Sequence, residues 1–238
     1  MSEPKVAVVV GAGPGLGASV AGRFAREGYA VAVMARSANT LEQARKNVEA
    51  RSVRALCVAS DATDPASVAA AFQTVKKELG DPTVLVYNAG AFQMGAVTDV
   101  SPEVFERSWR ANCFGGYLAA REVLPAMIAR KSGTVLLTGA TASMRGSKNF
   151  SCLAVGKFGL RALAQSMARE VGPSGVHVAH VIIDGQIDTP RVRGMMPDRA
   201  AETLLSPDAI ADVYWHLHTQ DPTTWTLEMD VRPSVEKF

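Results

Sequence analysis

Six short runs rich in β-branched residues recur along the chain: KVAVVV (5–10), AVAVMA (30–35), VRALCVAS (53–60), TVLVYN (83–88), TVLLTG (134–139) and VHVAHVII (176–183). Between them lie amphipathic stretches of a dozen or more residues. A strand that is apolar on both sides must be covered on both sides, and consecutive parallel strands need a right-handed crossover. The alternation therefore dictates an α/β fold of the Rossmann type, a doubly wound parallel sheet of about seven strands with helices on both faces. Helices are expected over 15–27, 39–50, 65–79, 101–129, 152–171 and 207–219. Pro65, Pro102 and Pro207 each follow an Asp or Ser able to cap, a combination that marks helix starts. No repeat, low-complexity tract or linker interrupts the pattern, so residues 1–238 read as a single domain. The least regular segment, 186–206, is Met-rich and broken by Pro190 and Pro197, and is expected to form a lid over the substrate.

Composition excludes several classes of function. Lys plus Arg number 25 against 23 Asp plus Glu, a formal charge of +2, too little for a phosphate-backbone footprint of DNA or RNA. Cys57, Cys113 and Cys152 are odd in number and show no CxxC spacing, which points to reduced thiols used in packing and to a cytoplasmic protein. The amino terminus shows no secretory pattern, and no apolar run approaches the roughly 20 residues needed to cross a bilayer. His177 and His180 stand three apart in a strand and so face opposite ways, while His216 and His218 diverge on a helix. No metal site is expected.

Chemistry enters after the first strand, at Gly11-Ala12-Gly13-Pro14-Gly15-Leu16-Gly17. Glycines there let the backbone turn tightly and approach a pyrophosphate, leaving the N–H groups of the next helix facing the anion. The second strand ends in Ala35-Arg36-Ser37. A ribose 2′-hydroxyl calls for a carboxylate at this point and a 2′-phosphate calls for a cation, so Arg36, with Ser37 as a second donor, selects NADP(H) over NAD(H).

With these residues in place, the chain resembles the short-chain dehydrogenase/reductase (SDR) family over nearly its whole length. The family's glycine turn matches Gly11, Gly15 and Gly17, and its adenine-contacting acid matches Asp61, followed by Ala62. Its Asn-Asn-Ala-Gly motif is met by Tyr87-Asn88-Ala89-Gly90, and its active-site Asn by Asn112. Its Pro-Gly and downstream Thr-Pro are met by Asp184-Gly185 and Thr189-Pro190, with Ile187 between. The resemblance implies that these positions and Lys157 bind the cofactor. It also implies pairing of the helix over 101–129 and the helix carrying Lys157, whose Ala119, Ala120, Leu160, Ala164 and Met167 are apolar or small, into a homodimer or homotetramer.

The departure lies at the reacting centre. In the family a Tyr four residues before the Lys gives the proton, and a Ser thirteen residues before that Tyr helps hold the substrate. Here those positions are Leu153 and Ala140. Leucine has no proton to give, a loss worth typically 10²–10⁴-fold in a general-acid step. Thr141 and Ser143, in the segment that also holds Ser147 and Ser151, become the candidates for gripping a substrate; serving a turn or a helix cap is the alternative. Met195-Met196 and Leu204-Leu205 either line an apolar pocket or anchor the lid, and Arg191, Arg193 and Arg199 offer charge to an anionic substrate. Lys157, Asn112, Thr141 and Ser143 thus form the expected catalytic set of an NADPH-dependent oxidoreductase. It would move hydride to or from a small or medium apolar carbonyl or enoyl compound by a non-standard proton donor. The rival reading is a catalytically silent NADP(H)-binding sensor or assembly protein.

Overall fold

The computed structural model describes residues 5–49 and 55–235. The first two residues of the expected third strand, 53 and 54, and the last of the second helix, 50, lie outside them. Seven parallel strands form one sheet in the order β3-β2-β1-β4-β5-β6-β9. They are β1 (Val6–Val10), β2 (Ala30–Ala35), β3 (Ala55–Ala59), β4 (Val84–Tyr87), β5 (Gly133–Thr138), β6 (Val176–Ile183) and β9 (Glu228–Val231). The remaining two, β7 (Gln186–Ile187) and β8 (Leu204–Leu205), form a separate two-residue ladder. Among the described residues eight α-helices accompany them: α1 (Leu16–Arg26), α2 (Ala38–Glu49), α3 (Pro65–Leu79), α4 (Pro102–Trp109), α5 (Gly115–Ala129), α6 (Ser151–Val171), α7 (Pro190–Met195) and α8 (Pro207–His218).

Alternation along β1 divides the interior in two. Ala7 and Val9 join Phe24, Val33, Tyr214 and Leu217 beneath α1 and α8, while Val6, Val8 and Val10 join Phe72, Leu85, Val123 and Leu160 beneath α3, α5 and α6. The central strands β1, β2, β4, β5 and β6 are buried on both sides, as their unbroken apolar runs require, while β3 and β9 at the two edges are only partly buried. The prolines act as expected: Asp64, Ser101 and Ser206 accept from Ala66, Val104 and Ala209 N–H groups at the starts of α3, α4 and α8.

Two expectations need correction. The single helix expected over 101–129 is interrupted by a π-turn, Arg110–Phe114, whose wider winding carries Asn112. Such turns are frequent at functional sites. The supposedly irregular 186–206 segment holds α7, capped by Thr189, and the β7–β8 ladder, so its chain is ordered by its own hydrogen bonds. Leu204 and Leu205 are buried there, which makes them anchors and not pocket lining.

The sheet reverses its winding between β1 and β4, which opens a crevice at the carboxyl ends of those strands.

Candidate active site

Two positions in the glycine turn are fixed by backbone packing. Gly11 has φ +89°, and a Cβ there would stand 2.4 Å from the Ala89 nitrogen; one on Gly17 would stand 2.4 Å from the Gly11 oxygen. Asn88 ties the same corner together by donating from Nδ2 to the Gly11 oxygen at 2.9 Å. Gly13 differs, because a Cβ added to it meets nothing within 4 Å. Beyond the turn, α1 begins at the buried Leu16 with no side-chain cap at Gly15; Ala18 N–H donates to the Gly13 oxygen at 3.1 Å, and the Leu16 and Gly17 N–H groups are the ones left to an anion.

A cavity of about 470 Å³ opens from this corner. Gly11, Gly13, Arg36, Ser37, Asp61, Ala62, Asn88, Ala89 and Gly90 all line it. Arg36 and Ser37 lie exposed at its rim. The Asp61 carboxylate accepts from Thr63 N–H at 2.9 Å and Thr63 Oγ1 at 2.8 Å, and the backbone bond first, then the hydroxyl and nearby Arg36, hold it below the usual carboxylate range. Thr40, Thr63 and Arg107 also line the cavity and were not anticipated; only proximity in the fold identifies them. A second cavity, about 430 Å³, lies at the amino ends of the strands beside Lys5, Tyr29, His177 and Trp225, and none of the expected site residues lines it.

At the other end of the crevice, Lys157 is buried and its Nζ donates to the Thr138 oxygen at 2.7 Å. Burial pushes its pKa down to about 8. Asn112, fully enclosed, donates from Nδ2 to the Ala91 and Ser108 oxygens at 2.8 and 3.0 Å, clamping the loop after β4 against α4. Gly90 completes the group, since a Cβ on it would lie 2.9 Å from Asn112 Oδ1 and 3.7 Å from Lys157 Nζ. Thr189 caps α7 by accepting from Val192 N–H, and its methyl lies against Gly15, so the 186–206 segment folds back to the glycine turn. Gly185, at φ +149°, allows the bend that starts this return, and Ile187 follows half-buried in β7.

The hydroxyl candidates separate. Ser143 is completely buried; its Oγ accepts from Ala140 N–H at 3.1 Å and lies 3.3 Å from His180 Nε2. It closes the turn after β5, and the expectation that it grips a substrate is corrected. Thr141 is half-buried and its Oγ1 donates to Asp184 Oδ1 at 2.5 Å. Leu153 is half-buried at the start of α6, one turn before Lys157.

Elsewhere, Arg193 is held by Asp188 and Arg199 by Thr203, so neither stands as an open anion receptor. His177 stacks on Trp225, whereas His180 meets Ser143, facing opposite sides of β6 as their spacing requires. Among the described residues no group of three metal-ligating side chains occurs, and no helix is long and apolar enough to cross a membrane.

Comparison with known proteins agrees with this geometry. Sorbitol-6-phosphate 2-dehydrogenase of Escherichia coli is 31% identical over 215 residues, 88% of this chain and 82% of its own. A short-chain dehydrogenase from Rhodopseudomonas palustris superposes with a TM-score of 0.83 at 35% identity, covering 98% of this chain and 100% of that one. An alcohol dehydrogenase from Thermococcus sibiricus, complexed with 5-hydroxy-NADP, superposes with a TM-score of 0.88 at 27% identity over 99% of each chain. The model of the short chain dehydrogenase family matches residues 5–200, and the chain belongs to that family of oxidoreductases.

Proposed function

We propose that the protein binds NADP(H) in the 470 Å³ cleft and transfers hydride to or from a small or medium apolar carbonyl or enoyl compound. The observation that carries this reading is the cradle at Gly13, open where a Cβ would stand, placed between uncapped helix N–H groups and the Arg36 rim. The nucleotide-bound Thermococcus neighbour supports it.

When bound, the nicotinamide supplies or accepts the hydride. The chain's residues would do the rest. Arg36 and Ser37 hold the 2′-phosphate, with the planar guanidinium offering paired donors. Asp61 and Ala62 border the adenine. Lys157, whose three N–H donors have one fixed partner in the Thr138 oxygen, turns the others to the ribose hydroxyls. Asn112 keeps the Gly90–Ala91 loop in place, and Thr189 brings the 186–206 lid against the cofactor.

A catalytically silent NADP(H)-binding role is the second reading, favoured by Leu153 and Ala140. Incubation with NADPH and a panel of ketones, aldehydes and enoyl thioesters, and with NADP⁺ and the matching alcohols, separates the two. Cofactor turnover with any pair supports the enzyme; binding of NADPH without turnover of any leaves the silent role.

The protein is further proposed to act in the cytoplasm as a homodimer or homotetramer. The residues first expected at the interface, among them Ala119, Leu160 and Ala164, are buried against the protein's own sheet. The apolar residues that α4, α5 and α6 present outward are Phe105, Trp109, Tyr117, Ile128, Val155 and Phe158, and these would form the contact.

A further inference from the structure

Thr141 and Asp184 are 43 residues apart in sequence and meet at the carboxyl ends of β5 and β6. Thr141 follows Ala140 directly and stands three residues after Thr138, whose oxygen anchors Lys157. It is thus the half-buried hydroxyl beside Ala140, one of the two positions that offer none; the other, Leu153, lies two residues from Ser151 at the start of α6. We propose that the Thr141–Asp184 pair is a specificity device that receives the hydroxyl of an alcohol and disfavours a carbonyl. The proposal rests on the cleft being the NADP(H) site put forward above.

The reasoning is a count of hydrogens. A threonine hydroxyl has one hydrogen and two lone pairs, and a carboxylate only accepts. With its hydrogen given to Asp184, Thr141 has only lone pairs left for a ligand. An alcohol can donate to those lone pairs; a ketone oxygen, itself an acceptor, cannot. Arg232, whose Nη2 donates to Asp230, places Nη1 3.6 Å from Asp184 Oδ2 and so biases the other carboxylate oxygen by charge. The backbone is held as well, since Asp184 N–H donates to the Val231 oxygen at 2.9 Å.

Arg232 also predicts what an amide would do. In Asp184→Asn the side-chain oxygen turns to the Arg232 donors, because an NH₂ group there would face a guanidinium. The NH₂ then faces Thr141 and donates to it. The threonine hydrogen is released toward the ligand, and the preference inverts.

The test uses two probes that cannot react with NADP⁺-loaded protein: 1-methylcyclohexanol, a tertiary alcohol with no hydride to lose, and cyclohexanone. Dissociation constants are read by ligand-observed NMR, and cofactor loading is checked by calorimetry. The wild type is expected to bind the alcohol about three- to tenfold tighter than the ketone, the worth of one net hydrogen bond. Asp184→Asn should reverse the order, Thr141→Ser should keep it and Thr141→Val should abolish it. The serine and valine variants decide the matter should Asp184→Asn fail to fold. Equal affinities in the wild type, an unchanged order in Asp184→Asn, or no binding of either probe to loaded protein would overturn the proposal. A protein that takes up no NADP⁺ fails the cleft assignment instead.

Discussion

Substituting Gly11 and Gly13 one at a time by alanine separates a glycine that shapes the scaffold from one that leaves room for a ligand. At Gly11 two costs add. A Cβ at φ +89° costs roughly 1–2 kcal/mol for an L residue held in the left-handed region. That Cβ would also sit 2.4–2.7 Å from backbone atoms of Asn88 and Ala89, which cannot swing aside as the tip of a side chain would. Forcing β1 and β4 apart at this corner costs about 1–3 kcal/mol more, the usual penalty of overpacking. The sum, about 2–5 kcal/mol, lowers Tm by roughly 4–20 °C at about 2–4 °C per kcal/mol for a chain of this size. At Gly13 neither cost arises, since the added Cβ meets nothing within 4 Å and φ is not in the left-handed region. Gly13→Ala should therefore unfold within about 0.5 kcal/mol of the wild type, as substitutions away from packed features do. It should nevertheless lose most of the thermal protection given by NADPH, because the methyl projects into the proposed pyrophosphate space. Differential scanning calorimetry of both variants with and without NADPH reads all four quantities. Equal destabilisation by the two substitutions, or a Gly11→Ala variant that melts within a degree of the wild type, would refute this division of labour.

Three further outcomes follow from the same geometry. Burial places the Lys157 pKa at about 8 against 10.5 in an open chain, so between those values the unfolded state holds a proton the fold has lost and stability rises with pH. The wild type should gain up to about 3 kcal/mol relative to Lys157→Met between pH 7 and 11; parallel stability curves for the two would contradict the assignment. His218, bonded to Tyr29 and Thr134, is pushed to about 4 by burial and then by His177 and Lys5. Its contribution is present above pH 6.5 and lost as pH falls through 4, so His218→Gln should flatten the acid limb of denaturation, and an unchanged limb would count against it. Restoring the missing hydroxyls with Leu153→Tyr and Ala140→Ser should raise ketone reduction about 10²–10⁴-fold, the worth of a general acid, as measured by NADPH oxidation. No gain in a folded variant that binds NADPH would show that the nicotinamide half of the cleft is not arranged for carbonyl chemistry.

Much of this molecule is legible in the amino-acid order because its strongest signals are local. β1, β2, β4, β5 and β6 announce themselves through apolar runs buried on both sides, the edge strand β3 through a similar run that is only partly buried, and α3, α4 and α8 through a cap followed by proline. The seventh strand, Glu228–Val231, was not located: EMDV is short and half polar, and it pairs at the sheet edge with β6. The π-turn at Arg110–Phe114 was hidden because RANCF has no periodicity distinct from the helices on either side. Within the site, Gly11, Arg36, Asp61, Asn88 and Gly90 could be placed together because each sits at the end of a consecutive strand of a parallel sheet, and such ends converge. The fates of the hydroxyls could not be read in this way. Whether Ser143 turns inward to Ala140 N–H or Thr141 sideways to Asp184 depends on a three-residue 3-10 turn and on a partner 43 residues away.

The central claim is that the crevice between β1 and β4 holds NADP(H), and isothermal titration of the purified protein with NADPH tests it directly. Saturable heat with NADPH, much weaker binding of NADH, and loss of that preference in Arg36→Glu are the expected results. No heat and no thermal stabilisation from NADPH or NADP⁺ in folded protein would contradict the account.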